Sequence, residues 1–299
     1  MALQRRLYST QAVTVTVVGG PVVQIPVKSF SISRDRPMEP ILGLGLLKGH
    51  DQAQKGRETF KFDIKCFLPK TPPIPPDFFK NLCKNTEKGV YTDFQVTPLA
   101  NGTPLLKGVI TNISIDSTVG DFIELGLSFQ GLGNPNITDV GVDISTAPVD
   151  AGTTANATVL VYDSSEVNIG DIATGPYGTT VKSAKFSFEM PIETIAQIGS
   201  PIVGTNAVLT DATNQLKMRL ISKAPYKASL NFDGTSVAQR PDTVLGRGGD
   251  LPSITIGNIP IVIQNGVLKT FSMNQSPGEI GANYSASYAG TSVAGFFAA

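Results

Sequence analysis

Short runs of apolar and β-branched residues, separated by turns rich in glycine and proline, recur along the chain. The clearest run covers residues 59–67 (TFKFDIKCF), in which apolar side chains alternate with Lys61, Asp63 and Lys65. A period of two places the charges on one face and the apolar groups on the other, which is typical of a half-buried β-strand. The same criteria predict strands over residues 12–18, 22–27, 29–33, 91–97, 105–116 and 122–130.

One segment has a helical period instead. It follows the proline-rich residues 70–76 and begins at Asp77, a residue type that caps helix N-termini. Its apolar stripe, which we interpret as core packing rather than as a groove for a partner, consists of Phe78, Phe79, Leu82 and Cys83. Many strands with a single helix predict a mainly β protein, built from antiparallel β-barrel or β-sandwich units with one short flanking helix.

The β pattern occurs twice along the chain. The sequence VKSF at 27–30 corresponds to VKSAKF at 181–186, and the strand at 59–67 corresponds to residues 226–232. Residues 105–131 and 267–290 both contain a Leu-Lys pair, a Gly-acid turn and a final aromatic-x-Gly. We therefore predict two tandem, pseudo-equivalent domains. Their predicted bounds are 1–133 and 157–299, with a linker rich in small and polar residues at 134–156, and the small apolar tail at 291–299 is expected to pack weakly.

Composition narrows the chemistry that the chain can perform. Lys and Arg number 24, Asp and Glu number 24, and the formal net charge is zero, so the chain has no general basic coat for nucleic acid or an anionic membrane. One histidine, His50, and two cysteines, Cys66 and Cys83, predict neither a histidine-rich metal site nor an enzyme, and we expect no cofactor. The cysteines form either a disulfide or, as we favour, two reduced and partly buried thiols. No segment has the length and apolar character of a membrane span.

Two charged segments are candidate functional segments. Residues 43–57 (GLGLLKGHDQAQKGR) predict a long loop, and residues 34–36 predict a charged turn. An ordinary solvated loop and an ordinary solvated turn are the alternatives. A His-Asp neighbour in the loop has no nucleophile placed beside it, so we do not interpret it as catalytic. The candidate contact residues are Arg34, Asp35, Arg36, Lys48, His50, Asp51, Lys55 and Arg57.

Residues 28–45 (KSFSISRDRPMEPILGLG) and 112–131 give the chain a family resemblance. Their order of alternating strand, charged turn, glycine-rich loop and late strand ending in aromatic-x-Gly resembles bacteriophage tail tube proteins and the related hub proteins of contractile injection machines. The resemblance implies small β-barrels flanked by a helix, of which six close a ring with a continuous inner sheet. It also implies that rings stack into a channel for DNA, with the loop at 43–57 reaching the next ring.

The resemblance implies a structural virion protein, made in the host cytoplasm and located in the phage tail. Its main partner would be itself, as three two-domain subunits or six subunits per ring, with the sheath, baseplate hub and tape measure proteins as further partners. DNA would pass through the lumen without specific binding, and no membrane would be involved. Two alternatives stay open: a tail hub or tube initiator of the baseplate, and a two-domain β-sandwich adhesin or binding protein. Deletion of residues 49–56 is expected to abolish stacking and to leave the domains folded.

Overall fold

The computed structural model describes residues 12–35, 38–41, 51–54, 59–71, 73–75, 77–97, 105–132, 142–143, 158–159, 167–169, 179–198, 209–210, 216–236, 254–256, 259–264, 266–277, 282–294 and 296. These residues form many β-strands and one α-helix, α1 (Asp77–Glu87), so the prediction of a mainly β protein is confirmed.

The strands of the first half of the chain are β1 (Ala12–Thr16), β2 (Val22–Asp35), β3 (Met38–Ile41), β4 (Asp51–Gln54), β5 (Thr59–Phe67), β6 (Pro69–Thr71), β7 (Thr92–Thr97), β8 (Leu105–Thr118), β9 (Glu124–Leu132) and β10 (Val142–Asp143). Those of the second half are β11 (Thr158–Val159), β12 (Val167–Ile169), β13 (Thr179–Glu189), β14 (Ile192–Ile198), β15 (Leu209–Thr210), β16 (Leu216–Ser222), β17 (Lys227–Ser236), β18 (Ile254–Ile256), β19 (Ile259–Gln264), β20 (Val267–Asn274), β21 (Ala282–Gly290) and β22 (Ser292–Ala294).

Six strands of the first half close an antiparallel barrel in the order β8-β7-β1-β2-β5-β9, with β9 pairing back to β8. Closure is possible because β2 and β8 are long enough to change partners along their length. Residues 22–26 of β2 pair with β1, whereas its later residues pair with β5. Inside the barrel, the ring of Phe62 lies 5.0 Å from those of Phe94 and Phe129, centroid to centroid.

Four strands of the second half extend the same sheet from β8 in the order β13-β17-β21-β20. Smaller sheets of the described residues have the orders β12-β18-β19-β22, β14-β16-β15, β3-β4 and β6-β11. Through the β8–β13 pairing, one antiparallel sheet therefore passes without interruption from the first half of the chain into the second.

The strand order repeats within this sheet. The first four-strand set, β2-β5-β9-β8, is followed by the second four-strand set, β13-β17-β21-β20. The registers agree strand by strand, because Ser29 pairs with Lys65 as Ser183 pairs with Asp233, and each first strand has a bulge immediately before that serine. The last strands also carry matching bulges, at Thr111 in β8 and at Lys269 in β20. Bulges are specific features of a strand rather than packing defects. Bulges at matching positions therefore indicate that the two four-strand sets are built in the same way.

The closing aromatic-x-Gly of each four-strand set has a packing function. A Cβ at Gly131 would lie 2.2 Å from Cζ of Phe60, and a Cβ at Gly290 would lie 2.4 Å from Cγ2 of Ile263. Both positions therefore need a residue without a side chain. Their registers are equivalent, since Gly131 pairs with Phe60 and Gly290 with Ala228, the second residue of β17.

Helix α1 packs on the core through the side chains that its stripe predicts. Phe78, Phe79, Leu82 and Cys83 are all buried. The helix ends where Gly89 takes a φ of 66°, a left-handed conformation that glycine adopts readily. No helix in the described part of the chain is long and apolar enough to cross a membrane.

The expectation of a weakly packed C-terminal tail is wrong for residues 291–294 and 296, the part of the tail that the structure describes. Residues of β22 pair with β19, and Phe296 is 2% exposed. Its ring stacks on Phe79 of α1 at 5.3 Å and meets Phe186 of β13 edge-on at 5.8 Å. The large aromatic ring outweighs the small residues around it, because burying a phenylalanine stabilises by about 1.5–3 kcal/mol.

A single hydrophobic core cluster contains residues of both halves of the chain. Within the predicted linker, β10 pairs with residues 105–106 of β8. Both halves share this core and one sheet, so neither marks a boundary between domains. The domain bounds 1–133, 134–156 and 157–299 stay a prediction.

Candidate assembly edges and channel face

The two four-strand sets meet at an internal junction, formed by residues 112–118 of β8 and residues 183–189 of β13. The strands are antiparallel, with Ile115 opposite Phe186 and Asp116 opposite Lys185. Two further backbone hydrogen bonds flank the ladder: the N–H of Val119 donates to the carbonyl of Lys182 at 2.9 Å, and the N–H of Met190 donates to that of Thr111 at 2.8 Å.

The side chains of the internal junction are segregated by face. On the core face, Ile115 is 0% and Phe186 1% exposed. On the other face, Nζ of Lys185 lies 3.4 Å from Oδ1 of Asp116, and the hydroxyl of Ser187 donates to Oδ1 of Asn112 at 3.1 Å. The junction thus combines apolar burial on one face with polar pairing on the other.

The outermost strands of the eight-stranded order present two open edges. These are residues 29–35 of β2, opposite the side paired with β5, and residues 270–274 of β20, opposite the side paired with β21. No strand of the described residues pairs with either edge. Unpaired N–H and C=O groups in such edges are a template for adding another strand.

Each open edge exposes an apolar side chain on the core face. Ile32 of β2 is 39% exposed and Met273 of β20 is 44% exposed. By the matching bulges, Ile32 occupies the position of Phe186 and Met273 that of Ile115, the two buried residues of the internal junction. The sequence pattern marked 29–33 as a strand but gave no sign that its outer edge would be open.

The solvent-facing side of the eight strands is mostly small and polar. Serines dominate it, at Ser29, Ser31, Ser33, Ser114, Ser128, Ser183, Ser187, Ser229, Ser272, Ser285 and Ser287. Its charges are of both signs, among them Lys61, Lys65, Lys185 and Lys227 with Asp63, Asp116, Glu189 and Asp233. A surface with mixed charges and short side chains has no basic excess with which to hold a phosphate backbone.

The bulges in β2 and β13 each direct a lysine side chain across this polar face. Lys28 forms an ion pair with Glu124 of β9, and its Nζ lies 6.0 Å from the centroid of the Phe67 ring. The equivalent Lys182 donates to Oδ1 of Asn283 in β21 at 3.1 Å. A shallow cavity of about 460 Å³ beside Lys28 is bounded by Lys185 of the adjoining β13, whereas its counterpart of about 290 Å³ beside Lys182 borders the open edge of β20.

The prediction of a charged turn at residues 34–36 is wrong for two of the three residues. Arg34 and Asp35 continue β2 and pair with Phe60 and Thr59 of β5. The strand continues past the end of its strict alternation because both residues still have partners in β5. Both residues lie in the open edge of β2, and Arg36 lies outside the described residues.

The predicted loop at 43–57 contains a strand. Asp51 is the first residue of β4, which forms a hairpin with β3, so residues 51–54 are not loop. The remaining candidates of this segment, Lys48, His50, Lys55 and Arg57, lie outside the described residues. Their role in contacts between rings stays a prediction.

Several titratable side chains are buried in the described core. Cys66 and Cys83 are free thiols, as we favoured, and they are fully rather than partly buried. Burial raises the pKa of both thiols well above their usual range. Burial likewise raises the pKa of Tyr288. Within the ranges that the structure describes, no three His, Cys, Asp or Glu side chains are grouped closely enough to share a metal ion.

Comparison of the chain with known protein families and with curated proteins gave no match. The functional argument therefore depends on the sheet itself: its repeated order, its open edges and its polar face.

Proposed function

We propose that this chain is a structural protein of the bacteriophage virion that forms the inner tail tube, a channel for DNA ejection built from stacked rings. The observation that carries the proposal is the repeated strand order. The second four-strand set follows the first in the same register and in the same direction around the sheet.

A repeated unit that joins head to tail continues into further copies. The internal junction joins the last strand of one four-strand set to the first strand of the next. When the same contact joins two chains, it is heterologous, and it closes into a ring if its rotation divides a full turn. Three chains would supply six four-strand sets, whereas six chains would supply twelve. Closure would also pair edges that otherwise favour aggregation.

The polar face supports the assignment of a channel wall. Its serines and mixed charges give DNA few lasting contacts, because retention of a phosphate backbone depends on an excess of Lys and Arg that releases counterions. The predicted partners follow from this role: further copies of the chain, other tail components at the ends of the tube, and DNA that passes without specific binding.

Negative-stain electron microscopy of the purified full chain, with its solution mass measured alongside, tests this proposal. Stacked rings or tubes with a central channel are expected, and the ring mass counts the subunits. Isolated rings that never stack would favour a hub or tube initiator. A compact monomer at every concentration would contradict ring assembly and favour a binding module.

A further inference from the structure

We infer that β20 of one chain pairs with β2 of a second copy in the register of the internal junction, so that Met273 lies opposite Ile32. The inference deepens the proposed function and depends on it only for the presence of a second copy. The internal junction provides the template, since the same chain already forms this contact once within itself.

The positions of the bulges determine the register of the contact between copies. The bulge at Thr111 in β8 corresponds to that at Lys269 in β20, which places Ile115 and Met273 at equivalent positions. The bulge before Ser29 corresponds to that before Ser183, which places Ile32 and Phe186 at equivalent positions. Because Ile115 lies opposite Phe186, Met273 must lie opposite Ile32 when the contact is repeated.

The apolar side chains of the two edges complement one another in this register. Ile32 and Met273 are the exposed large apolar residues of the two edges, and they come together on the core face. Their neighbours Phe30 and Phe271 are already partly buried against the core. Pairing therefore extends the existing core across the contact. A one-residue slip would turn every side chain to the opposite face.

Two polar pairs of this register are complementary and neutral. The ion pair between Lys185 and Asp116 is replaced by Ser31 opposite Asn274. Next to it, Ser33 lies opposite Ser272. Each pair can form a hydrogen bond, as cross-strand neighbours in a sheet do. In the same register Arg34 lies opposite Phe271 and Asp35 opposite Thr270, so no two opposite charges face one another across the contact. The contact between copies would consequently depend little on salt concentration.

Disulfide trapping tests the register. Opposite residues in antiparallel strands alternate between hydrogen-bonded and non-hydrogen-bonded pairs, so two adjacent pairs are needed to include the closer type. We expect Ile32→Cys with Met273→Cys, or Ser33→Cys with Ser272→Cys, to give covalent multimers of the full chain on oxidation. The products are read on a non-reducing gel, and each single substitution is the control for the buried Cys66 and Cys83.

A variant whose two cysteines are not opposite one another in this register is the matched control. Ile32→Cys with Phe271→Cys shifts one cysteine by two residues on the same face. Diagonal side chains in a sheet are about 7–8 Å apart, beyond the reach of a disulfide without backbone movement. We expect this variant to stay uncrosslinked. Stronger crosslinking of the off-register pair than of both in-register pairs would overturn the inference.

Electron microscopy of the same preparations separates this inference from the proposed function. Rings without in-register crosslinks would contradict the register and leave ring assembly intact. Monomers without crosslinks would contradict both. Crosslinked multimers without rings or tubes would support the edge pairing and contradict the tube.

Charge substitutions provide a second, independent test. Met273→Asp and Ile32→Lys should each abolish assembly, because a charge would be buried opposite an apolar side chain on the core face. The double variant should restore it, since the introduced charges have opposite signs and face one another. Val267→Asp is the matched control: Val267 lies in the same strand and is 56% exposed, but outside the paired stretch. Loss of assembly in the control together with no rescue in the double variant would overturn the inference.

Discussion

The internal junction and the two open edges use equivalent positions for different purposes. At the internal junction the central apolar pair, Ile115 and Phe186, is buried, and an ion pair crosses the polar face. At the open edges the equivalent pair, Ile32 and Met273, is smaller and partly exposed, and the polar positions carry serine and asparagine. The internal junction is therefore a permanent contact that contains a large buried aromatic residue. The open edges carry smaller apolar side chains, which can remain partly exposed to water.

In the proposed assembly, the difference follows from when each contact forms. The internal junction forms as the chain folds, so a buried phenylalanine is never exposed in the folded chain. The open edges must be stable before a second copy arrives, and a long, flat apolar edge would aggregate. One moderate apolar residue on each edge limits that risk and leaves a complementary pair for the proposed assembly.

The largest expected effect comes from breaking the internal junction. Phe186→Ala should lower the free energy of unfolding by about 3–5 kcal/mol, because it leaves a cavity beside Ile115 and the ring of Phe296. Ile32→Ala, at the equivalent position of the open edge, should lower it by less than about 1 kcal/mol in the unassembled chain. Urea denaturation at low protein concentration measures both values. Equal losses would show that the two positions are not equivalent in the way proposed.

The closing glycines sharpen the comparison between the two four-strand sets. Gly131→Ala should destabilise by about 1–3 kcal/mol, because its Cβ would overlap Phe60 and approach the carbonyl oxygen of Lys107 to 2.6 Å. Gly290→Ala should have a similar cost for the same reason. Gly126→Ala is the control, since its nearest neighbour is the rotatable hydroxyl of Ser114. A control variant as unstable as the other two would contradict the packing explanation; thermal denaturation followed by circular dichroism reads out all three.

Alkaline pH should weaken the fold through the two thiols of the first half. Burial raises the pKa of Cys66 and Cys83 in the folded chain, so the unfolded chain loses these protons first. Stability is therefore unaffected by them below about pH 8.5 and falls above it, by about 1.4 kcal/mol per pH unit for each thiol.

Denaturation midpoints between pH 7 and 10 measure this slope. Cys66→Ala should reduce it, and the equivalent position in the second four-strand set already holds Gly234, without a thiol. An unchanged slope in this variant would mean that other groups control the alkaline response.

The smallest effect is expected for the ion pair of the internal junction. Asp116→Asn places there the residue type of the open edge, Asn274, and should change stability by less than about 1 kcal/mol. Both partners are more than half exposed, so water screens the pair. Salt titration of the denaturation midpoint provides the control, because the difference between the two proteins should shrink at high salt. A loss of several kcal/mol would show that this pair holds the junction together.

Much of the fold could be predicted from local patterns. The strand at 59–67 has the predicted bounds, α1 covers the predicted helix, and the closing aromatic-x-Gly of each half occupies equivalent positions in the sheet. These features are local, since a period of two or an apolar stripe reports directly which side chains share a face.

The partners of the strands could not be predicted in the same way. The sequence pattern predicts that the Leu-Lys pairs at 106–107 and 268–269 are equivalent, but the bulges align Leu268 with Ile110 instead, a shift of four residues. Nor did it indicate that β8 pairs with β13, because alternation identifies a face and not a neighbour. The open edges, which carry the candidate site, are properties of the whole sheet, and no local signal reports them.

Hydrogen exchange of the assembled chain tests the central claim most directly. It compares the backbone amides of residues 29–35 and 270–274 in assembled protein with those of the unassembled Met273→Asp variant. The account predicts that both open edges become protected on assembly, to the level that the internal junction has in either state. Open edges that exchange as fast in the assembly as in the unassembled chain would contradict it.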